Sequence, residues 1–208
     1  MKSINTKIYI ADVSCLEDKA RFDKKSKSVK QERQKKLEKI RFEGDKRLSL
    51  GVELLLKKAL ADAGMDYDKT EIIYGENGKP YIKGNGLFYS LSHSGTLAVC
   101  AVSDSEIGVD AEQISRADFK IAKRIFTDRE IAFIDGSAEK FIRLWVLKES
   151  YMKYCGSGLS VAPRDIEIVF NDNRPDFRNL EFFETEIPGY KIALCGSSEA
   201  ELIVASDK

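Results

Sequence analysis

The stretch Arg143–Tyr154, RLWVLKESYMKY, indicates how this chain of 208 residues is organised, because an earlier segment resembles it. Arg47–Lys58 reads RLSLGVELLLKK, and both segments space their apolar residues as amphipathic helices do. The hairpin signal Asn77-Gly78 follows the first helix, and Asp172-Asn173 follows the second at nearly the same offset. The sequence therefore predicts two similar halves.

Strand-like runs complete the repeat, since GTLAVCAVSDSEIGV from Gly95 resembles GYKIALCGSSEAELIV from Gly189. We expect a mixed α+β fold with two halves, residues 1–104 and 105–208, related by a pseudo-twofold axis. The crevice between such halves is a natural ligand site. The alternative is a chance similarity between two amphipathic helices.

Charge is balanced over the whole chain but unevenly distributed along it. The chain has 34 Lys and Arg residues against 34 Asp and Glu, yet Lys19 to Arg47 alone contains 13 basic and 5 acidic residues. This segment is expected to be largely helical, and it could attract an anion. The alternative is an ordinary solvated helix face, on which charge runs are common.

Cysteine usage and hydropathy point to the cell interior. The four cysteines lie far apart without a Cys-x-x-Cys pair, and a single histidine is available to complete a zinc site. Apolar runs are too short to span a bilayer, and the polar start MKSINTK does not resemble a signal peptide. We predict a reduced, cytoplasmic protein with neither a membrane nor a nucleic-acid partner.

Candidate metal ligands occur in a predicted strand and in the second repeat helix. Asp110 and Glu112 fall on one side of the strand, and two such carboxylates suit Mg²⁺. Glu149 lies on a helix that is apolar over most of its circumference, so a carboxylate there needs a cation. Alternatively, Glu149 and Lys153 form an ordinary ion pair across one helical turn.

Two further motifs could bind anions. Ser92-His93-Ser94-Gly95 follows an apolar strand and could form a concave turn in which His93 donates to a phosphate, or His93 could be an ordinary turn histidine. Lys79 sits in the first hairpin before Pro80, which restricts its backbone, although a solvent-facing turn lysine is equally ordinary. A nucleophile elbow and a phosphate-binding P-loop are both missing, which argues against hydrolases and nucleotide triphosphatases.

Together these motifs resemble the surfactin-synthetase type of 4′-phosphopantetheinyl transferase. The matching segments are GKP at Gly78–Pro80, SHS at Ser92–Ser94, GVDAE at Gly108–Glu112 and WVLKESYMKYCGSGL at Trp145–Leu159. The resemblance extends over nearly the whole chain. It implies Mg²⁺-dependent transfer of 4′-phosphopantetheine from coenzyme A to a serine of an apo carrier protein, a holo-[acyl-carrier-protein] synthase activity.

The resemblance also implies roles for individual residues. Three carboxylates would hold Mg²⁺, and Glu149 could instead accept the serine proton as the catalytic base: Asp110, Glu112 and Glu149. Lys153 would neutralise phosphate charge as the second catalytic residue. The remaining matches are expected to contact coenzyme A, together with Asp110 and Lys153: Arg47, Lys79, Pro80, Ser92 and His93.

The chain departs from the family pattern at three places. Ser90 stands where the family carries asparagine, Ala111 where isoleucine is frequent, and the basic stretch before Arg47 aligns only loosely. A chain containing both halves has little need to self-associate, so we expect a monomer. The alternative function is a non-catalytic module that binds coenzyme A or a carrier protein with the same fold.

Overall fold

The computed structural model describes residues 6–84 and 86–205 of the chain. The helices of this described part are α1 (Lys19–Ser26), α2 (Gln31–Lys39), α3 (Glu43–Asp62), α4 (Ala122–Ile125), α5 (Asp128–Ile134) and α6 (Ala138–Cys155). Its strands are β1 (Lys7–Asp12), β2 (Ile72–Tyr74), β3 (Pro80–Ile82), β4 (Phe88–Ser94), β5 (Leu97–Ser103), β6 (Gly108–Gln113), β7 (Val169–Asn171), β8 (Arg174–Asp176), β9 (Phe182–Ile187), β10 (Tyr190–Cys195) and β11 (Glu201–Val204).

The element order repeats, which confirms the mixed α+β fold with two similar halves. The series β1, α3, hairpin β2–β3, β4 and β5 is matched by β6, α6, hairpin β7–β8, β9 and β10. The strands form one sheet of order β11-β1-β5-β4 and another of order β6-β10-β9. Strand β11, although last in the chain, pairs in parallel with β1. The sheet of the first half therefore includes a strand from the end of the chain.

Three apolar clusters explain why the helices and sheets pack as layers. Helix α3 buries Leu55 and Leu56 against Tyr9 and Cys100 on one face of the first sheet. Helix α6 buries its apolar residues against the second sheet in the same way. The facing sides of the two sheets share a third cluster, which contains Ile8, Ile10, Val99, Val109, Ala111 and Leu194. Because successive side chains of a strand point to opposite faces, each sheet packs against its helix on one face and against the other sheet on the opposite face.

Close contact with β6 fixes the position of α6. A Cβ atom on Gly108 would lie 2.1 Å from the Ser150 carbonyl oxygen and 2.2 Å from the Tyr154 nitrogen, so only glycine allows this approach. Lys148, fully buried in α6, donates to Glu130 Oε2 at 2.6 Å and to the carbonyls of Ile125 and Pro163. These contacts hold the next turn of α6, with Glu149 and Lys153, above β6.

The charged N-terminal segment forms two helices separated by a break. The break follows Ser26, and the Ser28 hydroxyl donates to the Lys25 carbonyl at 2.7 Å, in competition with continued helical bonding. None of the four cysteines, all of which lie in the described residues, forms a disulfide bond. None of the helices in residues 6–84 and 86–205 has the length and apolar character that crossing a bilayer requires.

Candidate active site

A cleft of about 1030 Å³ lies between the N-terminal helices and the edge where β4 meets β6. Five of the residues proposed from the sequence line it: Pro80, Ser92, His93, Asp110 and Lys153. A smaller cavity of about 350 Å³ shares Lys153 with this cleft and is lined by Glu149 and Lys79 among others. The two cavities are adjacent, because both are also lined by Gly78, Pro80, Tyr89 and Leu91.

Lys153 and Asp110 form the best-defined charge pair of the site. The Lys153 Nζ atom lies 2.7 Å from Asp110 Oδ1 and donates to the Leu91 carbonyl at 3.2 Å. Asp110 is 6% exposed and also accepts a hydrogen bond of 2.7 Å from Ser92. Lys153 thus pairs with β6 rather than with Glu149, and the alternative of an ion pair within the helix is not observed.

Glu149 is half-buried and makes no hydrogen bond or ion pair with any residue that the structure describes. Burial raises the pKa of Glu149, and the charges of Asp110 and Glu112 add to this effect. Charged carboxylates in such a setting need a cation or a proton. Glu149 is therefore a partly desolvated acid without a partner, next to two further acids.

The three carboxylates do not converge into a metal site in this conformation. Within residues 6–84 and 86–205, no three acidic, histidine or cysteine side chains are close enough to hold a metal ion. Glu112 accepts from Ser94 and lies 3.4 Å from Arg116 Nε. The oxygen chemistry of the three carboxylates nevertheless suits Mg²⁺, so the predicted metal site stays a prediction.

The Ser92–Ser94 motif is part of a strand and not of the turn that the sequence suggested. These residues end β4, and the turn follows at Gly95, where φ is +59°. Alternation along β4 leaves His93 exposed while the two serines are buried. Partial removal from bulk water, followed by the charge of Lys153, lowers the pKa of His93.

Lys79 and Arg47 are directed away from the main cleft. The Lys79 ammonium donates to the carbonyls of Tyr154 at 2.8 Å and Ile107 at 3.0 Å, and it pairs with Glu106. The side chain of Lys79 is 9% exposed, so it clamps the hairpin to the second half. Arg47 Nη2 lies 3.5 Å from Glu17 and does not line the cleft. Their predicted contacts with coenzyme A stay predictions without geometric support.

The cleft is lined by three basic residues that the sequence did not single out as site residues. Lys30, Arg33 and Lys36 line the cleft, and Arg33 Nη1 donates to Ser49 Oγ at 3.2 Å. The same cleft is lined by the acids Glu32, Glu53, Asp68 and Glu71. The spacing of three residues between the basic side chains was the available signal, because such residues share a helix face. Many lysines in that segment share similar spacings, so the sequence alone could not select these three.

The helix acid that the repeat aligns with Glu149 has different surroundings in the first half. Strand β1 contributes Tyr9 and Ala11 to the apolar cluster around α3. Glu53, the repeat partner of Glu149, is 3% exposed. It accepts a 2.5 Å hydrogen bond from Tyr67 and pairs with Arg33. Glu53 is therefore neutralised by its neighbours, unlike Glu149.

Comparisons with known proteins agree with this organisation. A family model described as the 4′-phosphopantetheinyl transferase superfamily matches residues 106–197, and one described as 4′-phosphopantetheinyl transferase, N-terminal, matches residues 17–105. A 4′-phosphopantetheinyl transferase of Bacillus subtilis is 30% identical over 190 residues, which cover 84% of this chain and 85% of that protein. The transferase psf-1 of Bacillus pumilus is 32% identical and covers 91% of this chain and 89% of that protein.

Solved structures include a more distant similarity. The holo-[acyl-carrier-protein] synthase of Helicobacter pylori, solved in complex with coenzyme A, is 21% identical to the matched part of the chain. Its TM-score is 0.39, and the match covers 43% of this chain and 96% of that protein.

Proposed function

The chain belongs to the 4′-phosphopantetheinyl transferase superfamily, and we propose that it transfers 4′-phosphopantetheine from coenzyme A to a serine of an apo carrier protein. The products are the holo-carrier and adenosine 3′,5′-bisphosphate. The observation that carries this proposal is the cleft whose lining combines the cationic side chains of Lys30, Arg33 and Lys36 with the Lys153–Asp110 pair. A cleft of about 1030 Å³ has room for a nucleotide with its phosphates.

Coenzyme A binding is assigned to the cationic residues of the cleft. Lys30, Arg33, Lys36 and His93 all line the cleft and offer donors to its phosphate groups. Lys36 is exposed and has no ion pair with a described residue, so its charge is available. The hairpin residues Gly78 and Pro80 also line the cleft.

Mg²⁺ fits the three candidate carboxylates, of which Asp110 lines the cleft, by its chemistry. Asp110, Glu112 and Glu149 would supply the hard oxygen ligands that this ion prefers. Half-buried Glu149 has no hydrogen-bond or ion-pair partner among the described residues, and this supports a cation there. When bound, Mg²⁺ would neutralise charge on the diphosphate of coenzyme A.

The reaction needs positioning and charge neutralisation more than covalent catalysis. The carrier serine oxygen forms a bond to the β-phosphorus while the bond to the adenosine bisphosphate oxygen breaks. Lys153 stabilises the negative charge that develops on the leaving side. Glu149 accepts the serine proton directly or through water, or acts as a metal ligand, and these two roles compete.

The proposal is tested by incubating the protein with coenzyme A, Mg²⁺ and a panel of apo carriers. We expect one carrier at least to gain the mass of one phosphopantetheine group, measured by intact mass spectrometry. We also expect EDTA to abolish loading and added Mg²⁺ to restore it, since the carboxylates and the diphosphate repel one another without a cation. Loading that is insensitive to EDTA would overturn the metal assignment. Coenzyme A binding without loading of any carrier would favour the non-catalytic module.

A further inference from the structure

Three buried serines of β4 connect the two sheets in an unusual way. Ser90, Ser92 and Ser94 alternate along the strand, and their Oγ atoms accept backbone N–H groups of β6. The bonds run from Val109 at 3.0 Å, from Ala111 at 3.2 Å and from Gln113 at 3.1 Å. Strands β4 and β6 belong to different sheets. We call these three residues the serine ladder, since their hydroxyl groups replace main-chain pairing between the strands.

Two members of the serine ladder donate a hydrogen bond to a carboxylate of the candidate site. Ser92 donates to Asp110 Oδ1 at 2.7 Å, and Ser94 donates to Glu112 Oε1. The third member, Ser90, accepts the N–H of Val109. The residue before Val109 is Gly108, which has no side chain that Ser90 could orient. The ladder therefore contains two serines that hold carboxylates and one matched serine, Ser90, that bonds only to backbone among the described residues.

The hydroxyl of Ser92 has a single proton, and Asp110 already receives it. Ser92 is also 6% exposed and accepts the Ala111 N–H, so it is fixed to β6 from two directions. Direct donation from Ser92 to a phosphate would require breaking the bond to Asp110. The contacts thus favour an action of Ser92 through the carboxylate.

We propose that Ser92 and Ser94 are positioning residues that fix the orientation of the Asp110 and Glu112 carboxylates for cation binding. This inference rests on the proposed function. Asp110 Oδ1 is held by Ser92 and Lys153, whereas no described residue donates to Oδ2. The ladder fixes one oxygen and leaves the other free for a ligand. Residues that orient metal ligands in this way typically contribute 10- to 100-fold to metal affinity.

The test compares Ser92→Ala and Ser94→Ala with the matched control Ser90→Ala. Each variant loses one side-chain bond to β6, but only the first two lose a donor to a carboxylate. Binding of Mn²⁺, as a spectroscopic substitute for Mg²⁺, is measured by electron paramagnetic resonance with coenzyme A and without carrier, so that no transfer occurs. We expect about tenfold weaker Mn²⁺ binding for Ser92→Ala and Ser94→Ala, and less than a twofold change for Ser90→Ala.

Further variants separate positioning from folding. Ser92→Thr keeps the hydroxyl and is expected to restore Mn²⁺ affinity, whereas Ser92→Cys keeps the volume but donates weakly and is expected to resemble Ser92→Ala. If Ser92→Ala does not fold, the Mn²⁺ affinities of Ser92→Cys and Ser92→Thr test the positioning role instead. Equal Mn²⁺ affinity for the Ser92, Ser94 and Ser90 variants overturns the positioning role while leaving the proposed function intact. Wild-type protein that neither binds Mn²⁺ nor loads a carrier overturns both.

Discussion

Glu149 and Glu53 occupy equivalent helix positions, and their surroundings separate a chemical role from a structural one. Glu53 accepts from Tyr67 at 2.5 Å and pairs with Arg33, so its charge is satisfied. Glu149 has no described donor, and burial together with the charge of Asp110 raises its pKa. A perturbed acid in a cleft is a candidate for catalysis, whereas a paired buried acid supports packing.

We predict that Glu149→Gln lowers the carrier-loading rate by at least about 100-fold, because a charge and a candidate base are lost together. Its melting temperature should stay the same or rise, since desolvation of the carboxylate is relieved. Glu53→Gln should instead lower the melting temperature by leaving Arg33 unpaired. Loading rates and thermal unfolding of both variants provide the measurement. Equal catalytic damage from the two substitutions would contradict a single acidic site per chain.

His93 is expected to make coenzyme A binding depend on pH. Its pKa is lowered, so it is largely neutral in the free protein near pH 7. A bound phosphate favours the protonated form, so coenzyme A should bind more tightly as the pH falls through and below 6.5. His93→Ala should raise the KM for coenzyme A about tenfold and remove this part of its pH dependence.

The control for His93 is the split between KM and kcat. We assign the contact of His93 to the 3′-phosphate of coenzyme A, which does not react, so kcat at saturating coenzyme A should change little. Titration of coenzyme A phosphate contributes equally to wild type and variant. A collapsed kcat with an unchanged KM would make His93 catalytic rather than substrate-binding.

Among the secondary-structure elements, the contact between β6 and α6 determines the geometry of the site. Strand β6 carries Asp110, helix α6 carries Lys153, and their side chains meet at 2.7 Å. Gly108 allows this contact because a Cβ there would lie 2.1 Å from the Ser150 carbonyl oxygen. One glycine thus allows two elements to approach closely enough for the charge pair to form.

We predict that Gly108→Ala destabilises the protein by about 3 kcal/mol and abolishes loading, since α6 must move away from β6. Urea unfolding and the loading assay measure the two effects. Gly44→Ala is the matched control, because its nearest neighbour would be Arg47 Nη2 at 4.0 Å. That variant, near the start of α3, should be unchanged or more stable by up to about 1 kcal/mol. A fully active Gly108→Ala would show that the close contact is dispensable.

At the level of the whole molecule, the two halves share both a core and a sheet. Ile8 and Ile10 of the first half pack with Val109 and Leu194 of the second between the facing sheets. Strand β11 pairs with β1, and the Lys79 ammonium binds carbonyls of the second half. Neither half can lose its structure without exposing apolar surface of the other.

We therefore predict a single cooperative unfolding transition. Trp145, the only tryptophan, lies on α6, so its fluorescence reports on unfolding of the second half. Far-ultraviolet circular dichroism reports on both halves, and the two thermal transitions should coincide. Separate midpoints would indicate that the halves unfold independently.

Much of the fold follows from periodicity that is visible in the sequence. Apolar spacing identified α3 and α6, Asn77-Gly78 and Asp172-Asn173 identified the hairpins, and alternation placed Asp110 and Glu112 on one strand side. These are local preferences of the backbone and side chains, so neighbours in sequence suffice to express them.

Contacts between distant residues were decided only by the tertiary structure. Sequence could not show that Lys153 pairs with Asp110 rather than Glu149, or that Lys79 clamps the second half instead of facing the cleft. Nor could it select Arg33 from the basic segment, because every lysine there has similar neighbours in sequence. Each choice depends on which groups lie within about 3 Å across elements, and packing of the layers sets that distance. The sequence by itself determined which chemical groups are present and on which elements, while packing determined their partners.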